Sequence, residues 1–198
     1  MSGAENTKEN CRLILASASP RRHEILLAAG IAHEILPTNA DETLPAGITP
    51  AAAVEMLSRR KAQAAWTELP HDAVVIAADT VVALAGRILG KPHGAEDARR
   101  MLSALSGRDH EVYTGVTVGV FGHAFTAHER TLVRMRTLAP DEIDAYIASG
   151  EPLDKAGAYG IQGRGGRFVA RIVGDYFNIV GLPLFCVSEI LRREFGIC

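Results

Sequence analysis

The sequence lacks most of the features that would assign it quickly. It contains no run of about 18 uninterrupted apolar residues, so no membrane helix is expected. Neither sign of charge dominates: 21 Lys and Arg stand against 23 Asp and Glu, a formal net charge of -2. That balance excludes a strongly basic nucleic-acid binder and an acidic disordered chain. A small charged ligand remains compatible, because a local cluster of charge needs no global excess. Only three cysteines occur, Cys11, Cys186 and Cys198, with no CxxC spacing. Neither a zinc site nor a disulfide framework is therefore expected, and the thiols fit a reducing compartment. The opening residues, MSGAENTKENC, are polar and carry no apolar core of a secretory signal, so a cytoplasmic protein is expected. There are no internal repeats.

What is present is an ordinary globular composition, 47% hydrophobic and 22% charged over 198 residues. One domain over residues 11–198, behind a flexible polar lead-in of residues 1–10, is the expectation. Arg12–Ala16 (RLILA) reads as a buried strand, then a tight turn, then a helix over Pro20–Ala29 that stops at Gly30. A short strand at His33–Leu36, a polar loop at residues 38–47 and a helix from Pro50 to about Leu69 follow. Asp72–Ala78 (DAVVIAA) is apolar throughout, as a strand buried on both faces should be. Thr80–Leu84 and Arg87–Leu89 flank Ala85-Gly86 as a hairpin. Later come a helix at Ala95–Leu105, strands at Val112–Val120 and His128–Arg136, and a helix at Pro140–Ser149. The glycine-dense residues 157–166 are either a flexible loop or a backbone that must approach something closely. A strand near Arg167–Val173 and a helix over Leu184–Phe195 end the chain. Interleaved strands and helices with hairpins predict an α/β fold with a mixed central sheet flanked by helices.

Several residues stand out chemically. Ser17 to Arg22 sit at a strand-to-helix turn, where free backbone N–H groups and the helix dipole favour an anion. Arg21 and Arg22 in that first turn oppose the dipole unless an anion is bound. Asp79 follows the apolar strand at its carboxyl end, the edge where open α/β sheets bind ligands. A carboxylate there suits a general base or a hard metal ion. Lys61 falls in the middle of the apolar stripe formed by Val54, Leu57, Ala64 and Ala65 on the second helix. Such a lysine either snorkels or reaches a buried phosphate or carboxylate. Lys91, in Gly90-Lys91-Pro92, and Glu42, in a polar loop, are weak signals singly. Seven histidines with no HxxxH or HExxH spacing leave Glu42 and Asp79 as the metal candidates, hence Mg²⁺ or Mn²⁺. Cations for phosphates beside carboxylates for a metal point to phosphoryl or nucleotidyl chemistry.

These pieces resemble one family. Ala16-Ser17-Ala18-Ser19-Pro20-Arg21-Arg22, Asp41-Glu42, Ala78-Asp79-Thr80-Val81-Val82, Gly90-Lys91-Pro92, the segment LDKAGAYGIQG from Leu153 to Gly163, Gly174-Asp175-Tyr176 and Val180-Gly181-Leu182-Pro183-Leu184 keep the order found in the Maf family of nucleotide pyrophosphatases. The resemblance spans about residues 12–193. It implies a fold related to the inosine triphosphate pyrophosphatases. It also implies metal-assisted cleavage of a nucleoside triphosphate by water to the monophosphate plus diphosphate, a cytoplasmic setting and, by family habit, a homodimer. No nucleic acid or membrane partner is implied.

By the same resemblance Asp79 is the proton acceptor. Glu42 binds metal or orients water, Lys61 and Lys91 contact phosphates, and Ser17 and Arg22 form the phosphate loop. Arg21, Thr80 and Gln162 match the three positions typical of the dTTP/UTP type rather than the 7-methyl-GTP type. An amide such as Gln162 pairs well with a pyrimidine edge, offering donor and acceptor together. A non-hydrolytic nucleotide-sensing regulator of cell division is the competing expectation. The intact Asp79, Glu42, Lys61 and Lys91 set weighs against it.

Overall fold

The computed structural model describes residues 12–197. The lead-in of residues 1–10, Cys11 and Cys198 lie outside them; Cys186 is a free, half-buried thiol. Strand β1 (Leu13–Leu15) leads into helix α1 (Pro20–Ala28), then strand β2 (Glu34–Ile35) and helix α2 (Pro50–Trp66). Strand β3 (Val74–Leu84) turns through Ala85-Gly86 into β4 (Arg87–Leu89), followed by helix α3 (Ala95–Leu105). Strands β5 (Asp109–Val120) and β6 (His123–Met135) form a long hairpin, and helix α4 (Pro140–Ala148) follows. Strand β7 (Val169–Val173) and helices α5 (Tyr176–Val180) and α6 (Leu184–Ile190) complete the chain. These elements form one seven-stranded mixed sheet in the order β2-β1-β3-β5-β6-β7, with β4 on β3. Pairing is parallel within β2, β1 and β3 and antiparallel elsewhere. Among the described residues no helix is long and apolar enough to cross a membrane.

The two-residue period of β3 and β1 sorts the core into layers. Ile14, Val75 and Ala77 pack with Ala62, Ala65 and Trp66 of α2 on one face. Leu13, Leu15, Val74, Ile76 and Ala78 pack with Ile25 and Leu26 of α1 and Val187 and Leu191 near α6 on the other. Burial on both faces explains why this stretch reads as unbroken apolar sequence. A third cluster gathers Leu102 and Leu105 of α3, Tyr146 of α4 and Phe168 around the far end of the sheet. Full burial of each such side chain contributes about 1.5–3 kcal/mol.

Three expectations need correction, and one element was not expected. Asp79 does not end a strand: β3 runs unbroken from Val74 to Leu84, since Thr80 to Leu84 continue the same ladder against β5. Strand β6 begins at His123 rather than His128, because Phe121-Gly122 makes a two-residue turn with Gly122 at φ 80°. The final helix stops at Ile190, and Leu191–Phe195 is a wider π-helical turn. Helix α5 has no counterpart in the sequence reading, being one short turn capped by Asp175 through Phe177 N at 2.7 Å. The glycine segment takes the second of its two readings. It folds as tight 3₁₀ turns held by Glu151, which accepts from Arg164 N and Gly165 N at 3.1 Å and from the Tyr146 hydroxyl at 2.9 Å.

Candidate active site

The site follows from where two strands stop. Strand β1 pairs with β3 only from Val74 to Ile76, and β4 pairs with it only from Val82 to Leu84. Among the described strands, nothing covers that edge of β3 over residues 77–81. The ligand-binding edge expected at Asp79 therefore exists, but it lies at the carboxyl end of β1. A cleft of about 710 Å³ opens there. Its lining includes all nine residues singled out in the sequence: Ser17, Arg21, Arg22, Glu42, Lys61, Asp79, Thr80, Lys91 and Gln162.

Strand parity places Asp79 and Thr80 on opposite faces of the sheet. Asp79 shares the face of Val75 and Ala77 and meets α2. There Lys61 Nζ donates to Asp79 Oδ1 at 2.5 Å and lies 2.8 Å from Glu42 Oε1. The side chains of Lys61 and Asp79 are 14% and 13% exposed, that of Glu42 60%. Of the two earlier readings of Lys61, the reach to a buried carboxylate is the one observed. The Lys61 hydrogen bond holds the Glu42 carboxyl below its usual range, against some desolvation.

Thr80 faces the other way, toward α1 and α5. Arg22 donates to Thr80 Oγ1 at 3.2 Å, to Ser17 Oγ at 3.1 Å and to the Gly181 carbonyl at 2.7 Å. Burial pulls the Arg22 pKa below its usual value. Three of its five N–H groups are spent on the protein, so it braces the loop and keeps two for a ligand. Arg21, Lys91 and Gln162 line the same cleft, and among the described residues none of the three has a hydrogen-bond or ion-pair partner. With Lys155, five cations face three carboxylates (Glu42, Asp79 and Asp154), so the cleft is positive although the chain is not.

Lys155, His93, Tyr159 and Thr114 escaped the sequence reading. Lys155 sits inside the quoted segment LDKAGAYGIQG. Its Nζ donates to the Glu151 carbonyl and Asp154 Oδ1, each at 2.7 Å. It lies outside any regular helix, so no periodicity marks it as buried. Tyr159 backs the cleft through a buried pair, its hydroxyl 2.7 Å from His110 Nε2, while His110 Nδ1 has no partner. Burial pushes the His110 pKa down to about 4, only weakly opposed by Asp109. The unfolded chain binds this proton near the ordinary 6.5, so the folded state loses stability as pH falls between those two values. The expected loss is up to about 3 kcal/mol. Urea midpoints at pH 7 and pH 4.5 test it: the wild type should lose markedly more than His110→Gln, and equal losses would refute the buried neutral imidazole.

A divalent cation fits the donors present. Among the described residues no group of three or more His, Cys, Asp or Glu forms a closed metal cage. Mg²⁺-type ions need no such cage, since one or two carboxylates plus substrate phosphates and water suffice. Glu42 and Asp79, brought to one ammonium group, supply two.

Comparison with known proteins identifies the family. The family model described as "Maf-like protein" matches residues 12–194. A protein of Moorella thermoacetica named dTTP/UTP pyrophosphatase is 54% identical over 188 residues, 94% of this chain and 96% of that one. Proteins of the same name from Anaeromyxobacter sp. and Bacillus cereus are 52% and 50% identical, covering 92% and 94% of this chain and 89% and 96% of theirs. With similarity running through every segment that builds the cleft, the chain belongs to the Maf family.

Proposed function

We propose that this chain hydrolyses dTTP and UTP to the monophosphate and diphosphate. The observation that carries the reading is that Arg21, Lys91 and Gln162, with their side-chain donors unspent, line one cleft with the Lys61–Asp79 pair. The names of the relatives support the substrates. A monophosphate product requires attack at the α-phosphorus. Asp79 accepts the proton of the attacking water. Lys61 holds Asp79 by Oδ1, which leaves Oδ2 for that proton. The first turn of α1, Arg21 and Lys91 offset charge that builds on the diphosphate as it leaves. Gln162, half-buried in the cleft wall, pairs with the pyrimidine edge, and a purine would leave its amide short of partners. Mg²⁺ or Mn²⁺ held by Glu42 and Asp79 would neutralise phosphate charge.

The test is a panel of nucleoside triphosphates with Mg²⁺ or Mn²⁺, read as monophosphate and diphosphate release. Preferred cleavage of dTTP and UTP is expected. Preference for 7-methyl-GTP would overturn the roles of Arg21, Thr80 and Gln162 and keep the reaction. Binding without diphosphate release would replace the enzyme with a nucleotide sensor.

A further inference from the structure

Two motifs, Gly174-Asp175-Tyr176 and Val180-Gly181-Leu182, remain without a chemical role in the scheme above. The structure places the turn between them, α5, beneath Thr80. Asn178 is fully buried. Its amide donates to the Val112 carbonyl at 3.0 Å and to Thr131 Oγ1 at 2.9 Å, which spends both amide protons and fixes its orientation. Its backbone carbonyl accepts from Thr114 Oγ1 at 2.8 Å. Thr114, also fully buried, lies 2.9 Å from Thr80 Oγ1.

Proton bookkeeping then sets every direction in the chain. A carbonyl only accepts, so the single hydroxyl proton of Thr114 goes to Asn178. At the contact between the two threonines Thr80 must therefore be the donor. Arg22 donates to Thr80 from the other side. The Thr80 hydroxyl has given its proton away and filled one lone pair, so it presents one remaining lone pair to the cleft it lines.

We infer that Thr114, anchored on the Asn178 carbonyl, is a positioning residue for substrate selection: it makes Thr80 a hydrogen-bond acceptor only, matched to a donor group of the bound nucleotide. This deepens the pyrimidine reading and rests on it. Two nucleotide donors fit that chemistry: a sugar hydroxyl, or the N3–H of uracil or thymine, in which case Gln162 keeps the pyrimidine's 4-carbonyl alone. Cytosine carries an acceptor at N3 and meets a lone pair with a lone pair. Without Thr114 Oγ, Thr80 can turn its proton into the cleft and tolerate such a group.

The experiment compares kcat/KM for UTP, CTP and 3′-deoxy-UTP in wild type, Thr114→Val and Thr114→Ser. Thr114→Val removes the hydroxyl at nearly constant volume. It should narrow the preference for UTP over CTP about tenfold if the donor is N3–H, or that over 3′-deoxy-UTP about tenfold if it is the sugar hydroxyl, the worth of roughly one hydrogen bond. Thr114→Ser keeps the hydroxyl and should keep both ratios. A purely structural role lowers all three substrates alike and leaves the ratios unchanged, which overturns the inference. Should Thr114→Val not fold, Thr80→Val at the cleft surface carries the test: it must cost UTP more than at least one of the other two, and equal losses overturn the inference. A wild type that cleaves no UTP fails the underlying reading and this inference together; a wild type that prefers UTP with ratios unmoved in Thr114→Val fails the inference alone.

Discussion

Asp79→Asn is expected to lower kcat for UTP by about 10²–10⁴-fold, the usual contribution of a positioned base. The amide is nearly the same shape as the carboxylate and keeps an oxygen for Lys61, which donates at 2.5 Å in the wild type. Its nitrogen then takes the place of Oδ2 and points two N–H donors where a proton must be accepted. Strand β3 should survive, because the residue is held by its ladder with β5, Asp79 opposite Gly115. KM should move much less than kcat, since Arg21, Lys91 and the α1 turn still hold the phosphates. Diphosphate release and far-ultraviolet circular dichroism on the same sample check both halves. A folded mutant that keeps more than a tenth of wild-type kcat would remove Asp79 from the chemistry.

Gly115→Ala is expected to destabilise the protein by about 3 kcal/mol, far more than one added methyl suggests. A Cβ at Gly115 would overlap the carbonyl group of Val54 and stand 2.8 Å from Glu55 N. These are backbone atoms of α2, so no side-chain rotation relieves the clash. The bare glycine lets α2 lie directly on β5. Lys61 is two turns further along the same helix, and that close seat brings its ammonium group down to Asp79. Lifting α2 therefore loosens the fold and the site together. The melting temperature should fall by about 6–12 °C for a chain of this size. Activity below the melting point should fall with it. A Tm within about 1 °C of wild type would show that α2 is not held this closely.

Much of the site was legible in the sequence because its parts are local. A strand ending at a serine turn before Pro20 specifies a helix N-terminus open to an anion. The 3.6-residue period marked Lys61 as a cation in an apolar stripe, and the structure puts its ammonium between Glu42 and Asp79. The motifs from Ala16 to Leu184 carried the family, and all of them but Gly174-Asp175-Tyr176 contribute residues to one cleft. Glu42 and Lys91 were weak singly because nothing in a polar loop or a turn records what lies across from it.

The rest was decided by pairings distant in sequence. Asp79 seemed to end a strand because its polarity interrupts an apolar run, yet β3 continues through it. What makes it accessible is that β1 stops at Leu15 and β4 reaches back along β3 only as far as Val82. Gly115 carries no local sign of its importance, since only the path of α2 gives a missing side chain meaning. The direction of the Thr80 hydroxyl is the clearest case. It depends on Thr114, 34 residues away, and on a carbonyl of Asn178, 64 residues beyond Thr114. A residue's type and its neighbours set which face it takes and which bonds it is able to make. Which partner accepts its proton is set by the chain that folds against it, and the sequence order alone does not contain that geometry.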